Sequence, residues 1–222
     1  MPSYKKHTIF ALFMALPFFP DIFYLALAVL GSSIIDMDRG VNNRNLLYMF
    51  FSGVILTVML YLLKLDINLG MILIALSSIF LLSKHRGFMH SIFGIITIGA
   101  FLTILVSGSY FLLHNFLDSR LILIIIAVIL GFIILNKKIV PIFVILVVLG
   151  IIIIPTANFS PYYVFGFLFL GGLSHIILDL LTPSGVEIFN PLSSRRYRKG
   201  TAISLIIFYV LVVAVYIFGG RF

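Results

Sequence analysis

Long apolar runs, interrupted at short intervals by a few polar residues, extend along the whole chain without the strict alternation that a half-buried strand requires. A helix needs about 20 apolar residues, and at least ~17, to cross roughly 30 Å of hydrocarbon. The pattern predicts spans at 46–65, 69–83, 92–117, 121–136, 138–155, 162–182 and 201–218. Their connections are too brief to hold a soluble domain. Residues 1–222 are therefore expected to form one integral membrane domain, an all-α polytopic transmembrane bundle with no internal repeat.

The first apolar stretch, 8–35, differs from the others. As one straight helix it would be about 42 Å long at ~1.5 Å per residue. Pro17 and Pro20 each remove a backbone donor inside it, and Asp21 places a carboxylate between two apolar arms. A helical hairpin turning at "PFFPD" accounts for all three, provided neighbouring helices cover the turn. The other arrangement is a single kinked, tilted span. The basic start and apolar run are those of a signal peptide, but no small-residue cleavage site closes the run, so the segment is expected to be retained.

Composition agrees with a membrane location: 62% of residues are hydrophobic, 10% are charged, and the mean hydropathy is +1.25. With no cysteine, disulfides, thiolate metal sites and cysteine nucleophiles are excluded. The net charge of +8 could suit a nucleic acid, yet its distribution argues otherwise. Taking the hairpin and the seven spans in order, one side receives Lys5, Lys6, Arg39, Arg44, Lys84, Arg86, Lys137, Lys138, Arg195, Arg196, Arg198 and Lys199. Lys64, Arg120 and Arg221 fall on the other. Twelve cations against three point the first side toward the cytoplasm of a multi-pass cell-membrane protein, with anionic lipid rather than nucleic acid as the partner. A single first span would weaken the balance to ten against five.

The same topology gathers residue types able to bind metal. His7 precedes the hairpin, Asp36 and Asp38 follow it, His85 and His90 lie on a connector, and His175 and Asp179 end the 162–182 span on that side. His175 and Asp179, four apart, share a helical face and can hold one cation, or can simply hydrogen-bond each other. Gly171, one turn earlier, leaves room for another helix or a ligand. Asp36 and Asp38 suit a hard cation, or merely a hydrated helix end. Gly87 allows a turn between His85 and His90, and Arg86 carries a fork fitted to phosphate or carboxylate. Four histidines, three aspartates and no thiolate suit one to three divalent ions, zinc first among them. Ionisable side chains within membrane segments are functional candidates.

In its early His7, "IIDMD", "HRGFMHS" and "GGLSHIILDLLTPSGVEIFNPLSSRR", the chain resembles the YdjM-like family of membrane-bound metal-dependent hydrolases, also described as LexA-binding, inner-membrane-associated hydrolases. It departs from the usual pattern at Ile35, where a proline is customary, at Arg39, where a histidine is, and at Met89, where a threonine is. The resemblance implies a hydrolase with His7, Asp36, Asp38, His85, His90, His175 and Asp179 at its site. The ligand order is also similar to that of zinc-dependent phospholipase C, which implies a phosphoester.

The expectation is a cytoplasm-facing, metal-dependent hydrolase acting on a lipid or polyprenyl phosphoester. Arg86, Arg195 and Arg196, with Arg198 and Lys199, would steer the anionic headgroup, and Asp38 would act as base. The alternative is an ion-coupled transporter built around Asp21 and the His/Asp set. A scaffold for a cytoplasmic partner would account for the basic loops alone.

Overall fold

Helix α1 (Tyr4–Ala15) gives way to a 3-10 turn at Leu16–Phe18, where Pro17 has no amide to continue the helical ladder. The structure is a computed structural model that describes residues 4–18, 21–38, 43–83, 87–155 and 157–219, the side chains of 38 and 43–45 excepted. Asp21 then starts α2 (Ile22–Ile34), one carboxylate oxygen accepting the amide of Tyr24 at 3.2 Å as an N-cap. The chain returns along itself, so that Ser32 Oγ donates to the carbonyl of His7 at 3.3 Å. The first apolar stretch is thus the expected hairpin.

Among the described residues, seven further α-helices follow: α3 (Asn43–Leu62), α4 (Asn68–Leu82), α5 (Ile92–Leu113), α6 (Ser119–Ile134), α7 (Val140–Ile153), α8 (Pro161–Leu180) and α9 (Lys199–Gly219). No β-strand occurs among the described residues, only an isolated bridge between Val186 and Tyr197. Each predicted span is recovered as one helix, but several end earlier because capping overrides hydropathy. The stretch predicted as 92–117 stops at Leu113, and Asp118 caps α6 by accepting the amide of Arg120 at 2.9 Å. Asn136 likewise turns the chain between α6 and α7, its side chain accepting the amide of Lys138 at 3.1 Å.

Among the described residues, three helices, α5, α8 and α9, are long and apolar enough to cross a membrane, and the other apolar helical runs are shorter. At ~1.5 Å per residue, the 14 residues of α7 reach only about 21 Å. Burial separates the three long helices: 61% of the apolar window of α8 is buried against 6% for α9. Helix α8 is therefore the centre of the bundle, packed on α1, α2, α5 and α9, while α9 lies along its outside.

The contact between α2 and α8 is close because glycine lines it from both sides. A methyl group added at Gly171 would fall on the carbonyl oxygen of Ala28, and one at Gly31 on that of Leu168. The space left by Gly171 is occupied by another helix rather than by a ligand. At the far end of the bundle, the second Asp21 oxygen accepts the amide of Ala157 at 2.9 Å. Beside it, Tyr24 OH accepts the amide of Ser160 at 2.8 Å. Both oxygens of Asp21 are thus engaged by backbone, which ties the hairpin tip to the segment before α8.

Candidate metal centre

Four separate pieces of chain bring histidine and aspartate together at the end of the bundle opposite Asp21. Helix α1 supplies His7, the 3-10 turn Ile35–Asp38 after α2 supplies Asp36, the 3-10 turn Phe88–His90 before α5 supplies His90, and α8 supplies His175 and Asp179. Each is held by local structure. Ser91 fixes the turn carrying His90: its hydroxyl donates to the carbonyl of Phe88 at 2.7 Å and accepts the amide of Gly94 at 3.0 Å, capping α5. The next amide, of Ile92, donates to the carbonyl of Ile188 at 2.9 Å and anchors that turn to the loop after α8.

The donor atoms sit at distances that are informative in themselves. His175 Nε2 is 3.5 Å from Asp36 Oδ1 and 3.6 Å from Asp179 Oδ2. His90 Nε2 is 3.5 Å from Asp179 Oδ2 and 3.8 Å from Asp36 Oδ1, and His7 Nε2 is 3.8 Å from Asp179 Oδ1. Good N–H···O hydrogen bonds lie at about 2.7–3.2 Å. Neighbouring donors on one tetrahedral ion with bonds of ~2.0–2.1 Å are separated by about 3.3–3.4 Å. The spacing is therefore wide for hydrogen bonding and close to what a shared cation requires.

Burial makes the same point. His90, His175 and Asp179 are fully buried and His7 is 2% exposed, whereas Asp36 retains 19%. By distance and angle, neither His175 Nε2 nor either oxygen of Asp179 makes a hydrogen bond among the described residues. Leaving an imidazole nitrogen and a carboxylate in that condition costs several kcal/mol, roughly, unless something positive lies between them. Two groups, His7–Asp36–His175 and His90–His175–Asp179, could hold a metal ion. His175 belongs to both.

The orientation of His175 is fixed from behind. Its Nδ1 lies 2.7 Å from the carbonyl oxygen of Ser32. A carbonyl only accepts, so Nδ1 carries the proton, and in the neutral ring Nε2 presents its lone pair to the group. Metal-bound histidines are commonly held in this way by a backbone carbonyl. The His7 ring stacks on His175 with centroids 3.9 Å apart, which restrains a second candidate ligand.

Five of the seven residues expected to bind metal are thus brought together. His85 and Arg86 lie outside the described residues, as does the side chain of Asp38, although its backbone closes the turn bearing Asp36. Arg195 and Arg196 are exposed on the loop between α8 and α9. Arg196 Nε is 3.5 Å from Glu187 Oε1, and the Arg195 guanidinium lies over the Tyr197 ring, 5.7 Å from its centroid. Ser32 was not expected at the site. Its contribution is a main-chain oxygen, which any residue type would offer, so only the close approach permitted by Gly171 marks it.

A family model described as YdjM inner membrane protein matches residues 4–221, nearly the whole chain. Neither the curated proteins nor the solved structures contain a significant match.

Proposed function

The chain belongs to the YdjM inner membrane protein family, and from that premise we propose that the His/Asp group is the metal centre of a membrane-embedded hydrolase. Its site faces the cytoplasm, and its substrate is a lipid or polyprenyl phosphoester. The observation that carries this reading is the 3.5–3.8 Å spacing of buried donors around His175 and Asp179, two of which have unsatisfied atoms.

His7, Asp36, His90, His175 and Asp179 are the ligands, with His85 and Asp38 completing the set. The all N/O donor chemistry favours zinc, in one to three ions. When bound, such an ion would supply charge stabilisation at a phosphoryl oxygen and would lower the pKa of a coordinated water.

The remaining work belongs to the chain. The Ser32 carbonyl keeps the Nε2 lone pair of His175 directed inward by accepting a hydrogen bond from its Nδ1–H. Asp36, the most exposed of the described members, marks the side from which substrate and water arrive. Asp38 accepts the proton of the attacking water, and Arg86 holds the phosphate through paired N–H donors. Arg195 and Arg196 draw the headgroup toward this end of the bundle; Arg196 must exchange its contact with Glu187 to do so. The positive-inside distribution of Lys and Arg supports the cytoplasmic orientation.

The test is hydrolysis of a panel of lipid and polyprenyl phosphates by the purified protein in detergent. Product release should stop after chelation and return when zinc is restored. Hydrolysis indifferent to chelation, or no hydrolysis by metal-loaded protein, would overturn the assignment.

A further inference from the structure

A second feature lies on the other side of the hairpin. Helices α1, α2 and α7 enclose a groove of about 550 Å³, lined by Thr8 and Leu12 of α1, by α2 from Ile22 to Val29, and by α7 and its flanks from Ile139 to Ile154. Its volume lies within the roughly 300–1,000 Å³ usual for ligand clefts. Among the described residues of the wall, Thr8 is the only one with a polar side chain. A water-filled trough of this composition would be unfavourable at membrane depth, where hydrocarbon is the solvent.

The ends of the groove differ. Gly150 lies against Ile22 at the hairpin-tip end, which sets Thr8 and Ile139 toward the other. At that end the chain carries Lys5 and Lys6 just before Thr8, and Lys137 and Lys138 just before Ile139, all four exposed. No acidic residue falls within either segment, 4–12 or 136–154. One basic pair on α1 and another on the turn before α7 thus flank one mouth of an apolar channel, and long lysine side chains readily reach a phosphate at the membrane interface.

We propose that this groove is a binding site for an anionic phospholipid, its hydrocarbon chain lying between α1, α2 and α7 and its phosphate held by Lys5, Lys6, Lys137 and Lys138. The site stands apart from the metal centre: His7, adjacent in sequence to Thr8, faces α8 and stacks on His175. Lipid occupancy accordingly does not depend on hydrolytic activity. An occupied groove would fill the open side of the hairpin and brace α1, whose His7 belongs to the metal centre.

The chain contains no tryptophan, so a single introduced one reports on its surroundings alone. Ile142, 63% exposed at the groove, and Leu211, 58% exposed on the outer face of α9, provide the test and control positions. In vesicles of equal phosphatidylglycerol and phosphatidylcholine, one lipid or the other carrying brominated chains, Ile142→Trp should be quenched preferentially by brominated phosphatidylglycerol. An enrichment of about tenfold is expected from several lysines acting on one phosphate. Leu211→Trp should show no preference, and replacing the four lysines by alanine should bring Ile142→Trp to the same level. Equal quenching at Ile142, an equal preference at Leu211, or a preference that survives loss of the lysines would each overturn the proposal.

Discussion

Replacing His175 with alanine is expected to lower metal-dependent hydrolysis by more than about 100-fold, beyond what loss of a residue that merely orients a ligand costs. The reason is the position of its ring: Nε2 lies 3.5 Å from Asp36 and 3.6 Å from Asp179, so the imidazole belongs to both possible three-residue groups. The same variant should lose stabilisation by zinc. A ligand at ~100 times its Kd stabilises a folded protein by about 2.7 kcal/mol, which thermal unfolding in detergent resolves as a shift of several degrees. Wild-type protein should show that shift and the variant should not. A purely structural His175 would lower melting temperature equally with and without zinc, which separates the two roles.

The second large effect is expected away from the donors. Gly171→Leu should destabilise the protein by more than about 3 kcal/mol and abolish metal binding, because overpacking against backbone cannot be relieved by a rotamer change. Even the first added carbon would fall on the carbonyl of Ala28 and against the amide of Ser32. Separating α2 from α8 at this level also withdraws the Ser32 carbonyl from His175 Nδ1. Gly166, on the same helix, supplies the control: a methyl group there would meet nothing within 4 Å. Gly166→Ala should be neutral or stabilise by up to about 1 kcal/mol through helix propensity. Comparable losses for both variants would mean that close packing of α2 on α8 does not govern the site.

Much of this arrangement is legible in the sequence, and the parts that are not have physical reasons. Hydropathy located the helices because the membrane demands apolar length, whereas their ends depend on single caps such as Asp118, which the length of an apolar run does not register. The hairpin followed from Pro17 and Asp21, whose chemistry is poorly compatible with an uninterrupted span. Chain reversal predicted that His7, Asp36, His90, His175 and Asp179 share one side of the bundle, but it sorts residues by side and not by distance; their approach to within 3.8 Å is a result of helix packing.

Side-chain logic could not supply the rest. The partner of His175 is a carbonyl, present at every position, so sequence does not single out Ser32. Gly171 left two readings open, another helix or a ligand, and only the packing of α2 decided between them. Asp21 gave a further instance. A carboxylate in an apolar stretch suits an ion carrier, yet its oxygens accept the amides of Tyr24 and Ala157. The groove on α1, α2 and α7 was invisible in the pattern, since an apolar residue facing a neighbouring helix reads the same as one facing lipid.

The central claim concerns what lies between the imidazoles and carboxylates, and elemental analysis addresses it without reference to any substrate. Protein purified in mild detergent without chelator and quantified by mass spectrometry of its metals should carry at least about one divalent ion per chain, zinc foremost, retained through gel filtration. Folded protein holding less than about 0.2 ion per chain, even after incubation with zinc, would contradict the account.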